Sequence, residues 1–207
     1  MNWLEMDKAL IKEKKKYHHG DLRGQLLEAV RVLVERDGPD DFSVAEACRE
    51  AGVSTAAPYK HFKDRNDILR GVVLLAMDRM RSAMQAAADS YPAGDPRRIA
   101  ALGQSYVDFA RTEPGLFQTM FGLTSGHDED PELRQSGDET YSVVEHVVAD
   151  HLGISTADPQ ARLRAYALWC FVHGHSFLSL DSKLPNEVNT LDEAHLLRLV
   201  GDAILPP

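Results

Sequence analysis

Cysteine is scarce in this sequence: 2 residues in 207, Cys48 and Cys170, each inside a helix-patterned segment. They form no disulfide framework, which suits a reducing cytosol. No apolar run reaches the roughly 20 residues a membrane helix needs, and the charged N-terminus lacks the apolar stretch of a signal peptide. The chain is therefore expected to be soluble and cytoplasmic, with no membrane partner. A phosphate-cradling glycine loop, a Gly-x-Ser-x-Gly elbow and a paired Cys-x-x-Cys are also missing. Positive charge is not in excess either, the net being −9. That balance is uneven along the chain. Residues 1–80 hold 14 Lys/Arg and 14 Asp/Glu, so the rest, with 9 against 18, carry the whole deficit. What matters for a polyanionic partner is where charge sits, and an acidic C-terminal bulk would face away from it.

What is present is helical patterning. Residues 43–62 open with Ser43 and Glu46 spaced as a capping box. A short helix follows, with Val44, Ala47, Cys48 and Ala51 on its apolar side. Gly52 stands where a helix stop wants a left-handed residue, Val53 plugs the turn, and Ser54 is expected to cap a second helix to about His61. Two short helices about a glycine-bearing turn are a helix-turn-helix, whose second helix is shaped for a DNA major groove. Its outward chemistry supports that: Thr55 and Ala56 keep the leading end small. Tyr59, Lys60 and His61 then offer a hydroxyl, a cation and an imidazole within one turn, with Lys63 and Arg65 beyond. Phosphate neutralisation and base-edge donation need such groups.

Before this unit, residues 1–16 form a basic arm ending in Lys14, Lys15 and Lys16, which by position and charge either frays in solvent or lies along DNA. The stripe Leu22, Leu26, Leu27, Val30, Leu33, Val34, capped by Asp21 and stopped by Gly38-Pro39, supplies the core of a three-helix unit over 17–63. A long connecting helix is expected over 64–90, with Ile68, Leu69, Val72, Val73, Ala76, Met80, Ala83 and Met84 inward. Within 91–207, Asp95-Pro96, Asp130-Pro131 and Asp158-Pro159 each pair a capping carboxylate with a first-turn proline. A short helix is expected after Pro114, and a loop over 122–130. From Ala165 to Leu180 no Lys, Arg, Asp or Glu occurs. A helix apolar all round is buried on more than one side, here against its own domain and a second subunit. Gly174, Phe177 and Leu178, with Leu196, Leu197, Val200 and Ile204 of a final helix capped by Thr190, are the expected seam of a four-helix dimer interface. The fold class is all-α.

Val53-Ser54, Tyr59-Lys60-His61-Phe62 and Asp64-Arg65-Asn66-Asp67-Ile68-Leu69 resemble the recognition helix and following helix of the TetR family of bacterial transcription regulators. Tyr17-His18-His19-Gly20-Asp21-Leu22-Arg23 and Trp169-Cys170-Phe171-Val172-His173-Gly174 are similar to motifs of one branch of it. Arg65 departs from the family's usual lysine, and Pro58 falls in the first turn of the recognition helix, where a missing N–H does least harm. The resemblance implies a homodimeric repressor on a palindromic double-stranded operator, with a small-molecule effector in the C-terminal domain. Thr55 and Lys60 are the candidates for base edges. Tyr59, His61 and Arg65 are assigned to phosphates, and Ser43, Ser54, Ala56 and Lys63 to the same surface. A mainly apolar effector pocket is assigned to Tyr106, Phe109, Phe117, Phe121, Tyr141, Trp169 and His173.

Three other readings compete. An effector-independent architectural DNA protein would have the same N-terminal half. Cys170 and His173, three apart on a helix, would make a thiol and base, but the apolar run around them offers no charge to hold a thiolate. His146, His151, His173 and His175 lack metal-binding spacing, so no metal or cofactor is implied.

Overall fold

The computed structural model describes residues 21–122, 130–181 and 192–205. Over them the chain is helical, in the order α1 (Leu22–Asp37), α2 (Val44–Glu50), a 3-10 turn (Pro58–Lys60), α3 (Arg65–Asp89), α4 (Arg97–Thr112), α5 (Pro114–Gly122), α6 (Pro131–Leu152), α7 (Pro159–Leu180) and α8 (Glu193–Ile204). The arm lysines Lys14, Lys15 and Lys16, the Tyr17-His18-His19 motif, the 123–129 part of the expected loop and Thr190 lie outside the described residues.

Local chemistry explains most of the boundaries. Asp21 accepts the Gly24 N–H at 2.8 Å to start α1, and Gly38, at φ +87°, ends it. Asp130 and Asp158 cap α6 and α7 as their Asp-Pro pairs predict. The first pair sits one position early: Pro96 is the N-cap of α4, while Asp95 accepts the Arg97 N–H at 2.9 Å. The last helix differs from expectation. Its cap is Asp192, which accepts the His195 N–H at 3.2 Å.

Helix α3 runs through the molecule, packed chiefly on α4 and α6 and also touching α1 and α5. Its first half is filled: Ile68, Val72 and Val73 are fully buried against the α1 stripe of Leu26, Leu27 and Val30. Gly71 lets Leu27 and Phe62 approach, since a Cβ there would lie 2.8 Å from a Leu27 methyl. Its second half presents Met77, Met80 and Met84 inward, while Ala83, expected inside, is exposed. Arg98 is a buried cation: it donates to the Ala88 carbonyl at 3.1 Å and pairs with Asp150 at 2.7 Å. That ties the end of α3 to α4 and α6.

Candidate nucleic-acid interface and interior cavity

The turn after α2 is a Schellman motif: the Val53 N–H donates to Cys48 O at 2.9 Å and the Gly52 N–H to Arg49 O at 3.1 Å. Gly52 takes φ +67°, which its lack of a side chain makes free of strain. Ser43 caps α2 through a 3.4 Å contact from the Glu46 N–H, but the reciprocal half of the expected box is replaced. The Glu46 carboxylate instead accepts from Arg36 of α1 at 2.8 Å, fixing α2 against α1.

The expected second helix from Ser54 to His61 is shortened to the Pro58–Lys60 turn. Pro58 cannot donate to the Ser54 carbonyl four residues back. That carbonyl therefore accepts from Ala57 at 3.0 Å, and the chain continues in i to i+3 bonds through Lys60 and His61. Ser54 thus contributes its carbonyl, and the N-cap is Ala57, which has no capping side chain.

Thr55, Ala56, Tyr59, Lys60, His61 and Lys63 form one exposed surface around this turn. Among the described residues their side chains have no hydrogen-bonding partner. Arg65 is placed differently from its expected phosphate role. Its Nη2 donates to the carbonyls of Pro39 (2.6 Å) and Asp40 (2.8 Å), and its guanidinium lies 4.2 Å from the Phe42 ring centroid. This cation is occupied in holding the α1–α2 loop onto the start of α3. There, Asp64 caps Asp67 and the Asp67 carboxylate accepts the Lys63 N–H, both at 2.9 Å.

A cavity of about 370 Å³ lies against the second half of α3. It is lined by Met77, Met80 and Met84 of α3, Met120 and Phe121 of α5, Tyr106 of α4, Tyr141 of α6, and Tyr166 and Trp169 of α7. Gly137, Asp138, Thr140 and Val144 of α6 complete it. Four of the seven predicted pocket residues line it: Tyr106, Phe121, Tyr141 and Trp169. Phe109 and Phe117 are buried packing residues instead. His173 stands behind the wall, its Nδ1 2.8 Å from the Tyr106 hydroxyl and its ring 4.5 Å from that of Phe121. Burial holds its imidazole below the ordinary histidine value and raises the Tyr106 hydroxyl strongly, the Trp169 indole opposing. Both are therefore neutral at physiological pH. Met80 and Met84 read from the sequence as inward core residues and Met77, Met120 and Tyr166 carry no pocket signal there, because a methionine stripe at helical spacing reads equally as core.

The cavity wall reaches the DNA-facing unit through α5. Pro114 begins that helix without an N–H, and the next two amides, Gly115 and Leu116, donate to the Glu35 carboxylate of α1 at 2.8 and 2.7 Å. A carboxylate at a helix N-terminus also meets the positive end of its dipole. Gly115 is required for this approach: a Cβ there would lie 2.7 Å from Val34 O and 2.9 Å from the Glu35 Cα. Beside this joint Glu113 pairs with Arg79 of α3. A second tie links Arg70 of α3 to Asp130 and Glu132 at the start of α6, and it holds the Asp130 carboxyl far below the usual range.

The expected dimer seam is partly redrawn. Leu197 is buried inside the subunit, against Gly103, and Phe177 packs on Phe117 with ring centroids 5.1 Å apart. The outward apolar stripe of α7 is Leu163, Tyr166, Cys170, Gly174 and Leu178, at helical spacing, and a Cβ at Gly174 would meet nothing within 4 Å. Leu163 (61% exposed) and Leu199 of α8 (57%) are the most open aliphatic side chains. Leu196, Val200 and Ile204 are half-buried. Direction on a helix apolar all round cannot be read from spacing, which is why Phe177 and Leu163 exchange roles. Cys170 lies on this exposed stripe while His173 bonds Tyr106, so the two have different surroundings. Among the described residues no group of three or more His, Cys, Asp or Glu is placed to hold a metal ion, and no helix is long and apolar enough to cross a membrane.

Comparison with known proteins matches residues 26–72 to the model of bacterial regulatory proteins of the tetR family, and residues 99–201 to a tetracyclin repressor-like C-terminal domain. The HTH-type transcriptional regulator BetI of Yersinia pestis (strain Pestoides F) is 24% identical over 112 residues, 54% of this chain and 57% of BetI. The chain thus spans little more than half the length of the curated relatives it matches. A protein of unknown function from Rhodococcus sp. RHA1 superposes with TM-score 0.74 at 28% identity, covering 92% of this chain and 97% of that one. The transcriptional regulator FadR of Bacillus subtilis in complex with stearoyl-CoA gives 0.62 at 15% identity, over 88% and 97%.

Proposed function

The chain belongs to the TetR family of bacterial regulatory proteins, and on that footing we propose that it is a homodimeric repressor released from a palindromic operator by a small, mainly apolar ligand. One observation carries the proposal: two of the helices that wall the cavity, α3 and α5, are also fastened to the N-terminal helix-turn-helix unit. Met77, Met80 and Met84 belong to the helix whose start is locked by Arg65. Met120 and Phe121 belong to the helix whose first amides rest on Glu35. A ligand that wedges the methionine side apart tilts α3 and pulls α5 on Glu35, changing the separation of two Pro58–Lys60 turns in a dimer. It acts only through its difference in affinity between the DNA-bound and released states. The stearoyl-CoA complex of FadR supports the idea that this fold accommodates an apolar ligand.

The surface of Thr55, Tyr59, Lys60 and His61 is the DNA-contacting face in this reading, with Lys60 and Thr55 on base edges and Lys63 on phosphate. The α7 stripe, with Leu199 of α8, is the dimer seam. A selection of genomic fragments bound by the protein tests both claims: recovered sites should be inverted repeats. Lys60→Ala should weaken binding by about 1–3 kcal/mol and relax preference at one position per half-site; uniform weakening reassigns it to phosphate. Glu35→Gln keeps the cavity but loosens the joint. It should leave ligand affinity nearly unchanged while reducing the ligand's effect on operator affinity. Equal coupling in both proteins would reject the Glu35 route.

A further inference from the structure

The polar inventory of the cavity is lopsided. Among the described residues no Lys, Arg or His lines it, and Asp138 is the one charged group there. Two of the other polar groups are engaged internally, Tyr106 with His173 and the Thr140 hydroxyl with the Ser136 carbonyl at 2.8 Å. Asp138 lies one helical turn before Tyr141, on the same face of α6. Tyr141 in turn stands 5.6 Å from Trp169 in edge-to-face contact, and Trp169 is 6.2 Å from Tyr166. The carboxylate is therefore followed within one turn by Tyr141, which begins a chain of ring contacts through Trp169 to Tyr166, while four methionines supply much of the remaining lining.

The surroundings reinforce the sign. Glu145, a further turn along α6, acts on Tyr141. On the facing helix Arg81 is already paired with Asp78 and with Glu139, the neighbour of Asp138. A ring face attracts cations through its quadrupole, the more strongly the less water surrounds it. A carboxylate beside three rings, with no cation in the lining among the described residues, repels an anionic head and seats a cationic one.

We propose that the ligand of this cavity is an apolar organic cation, a substituted ammonium or amidinium on a hydrocarbon or aromatic body. Its charged end sits among Tyr141, Tyr166 and Trp169 beside Asp138, and its body lies along Met77, Met80, Met84 and Met120. The effector role of this site rests on the reading above; its charge preference does not.

The test uses the full chain carrying Trp3→Phe, so that indole fluorescence reports Trp169. It is titrated with two probes of equal chain length below their micelle concentrations, decyltrimethylammonium and decyl sulfate. The ammonium should bind at least roughly tenfold more tightly than the sulfate. Asp138→Asn should shrink that ratio to about threefold or less, and Asp138→Lys should invert it, with decanol affinity unchanged in both. Sulfate binding as tightly as ammonium, a ratio indifferent to residue 138, or no quenching by any probe would each overturn the proposal. Operator affinity is measured separately with saturating decyltrimethylammonium. Cation-selective binding that leaves DNA affinity unchanged would sink the release mechanism and leave the charge assignment standing.

Discussion

The two halves of α3 occupy opposite kinds of surroundings. From Asp64 to Val73 the helix is locked: a reciprocal pair of acidic caps, Arg65 on two carbonyls and an aromatic ring, and Ile68 and Val72 with no exposure at all. From Met77 to Met84 it borders a cavity of about 370 Å³, faced by flexible thioethers. Strain introduced at the loose end is not absorbed at the stiff one, because a close-packed interior transmits displacement. In the release mechanism proposed above, that contrast is what carries a displacement at one end of the helix to the other.

The comparison can be broken most directly by cutting side chains in each half. Ile68→Ala should cost about 3–5 kcal/mol in urea unfolding, whereas Met80→Ala, equally buried, should cost about 2, since the flexible Met77 and Met84 beside it can relax into the space it leaves. Equal losses would mean the halves are packed alike. The joint between them comes next. Gly115→Ala should destabilise by about 1–3 kcal/mol by driving a methyl into Val34 O and the Glu35 backbone. Gly137→Ala has the opposite sign: its Cβ would meet nothing within 4 Å. Relief of a mid-helix glycine should then stabilise by about 0.5–1 kcal/mol, or some 1–4 °C in melting temperature.

The gentlest probe is pH. Burial puts the folded His173 pKa below its unfolded value near 6.5. Its contribution is thus complete above that pH and is lost as pH falls through the folded value, when the buried ring must take up charge. Melting temperature should decline from pH 7 toward 5, and His173→Gln should flatten that decline.

How far this organisation could be read beforehand follows from the same contrast. Caps at Asp21, Ser43, Asp64, Asp130 and Asp158 are decided by residues within one helical turn, so the sequence displays them. The all-α fold and the Gly52 turn were legible for that reason. Pro58 was visible too, but its consequence, a 3-10 turn in place of a helix, depends on the Ser54 carbonyl finding another donor. The cavity has no local signature. Nothing near Met77 or Met84 says whether the space opposite is filled, since that is settled by α4, α5, α6 and α7 together. Arg65 is a similar case: its spacing suits a phosphate, and only the fold brings Pro39, Asp40 and Phe42 within its reach.

Glu35 carries one more implication, for modularity. The two unanswered amides at the head of α5 are supplied from a helix some eighty residues earlier, so the two parts of the chain are not freely interchangeable. A chimera that borrows its first sixty residues from a protein without an acidic side chain at this spot would inherit an intact reading head. It would also leave Gly115 and Leu116 facing nothing.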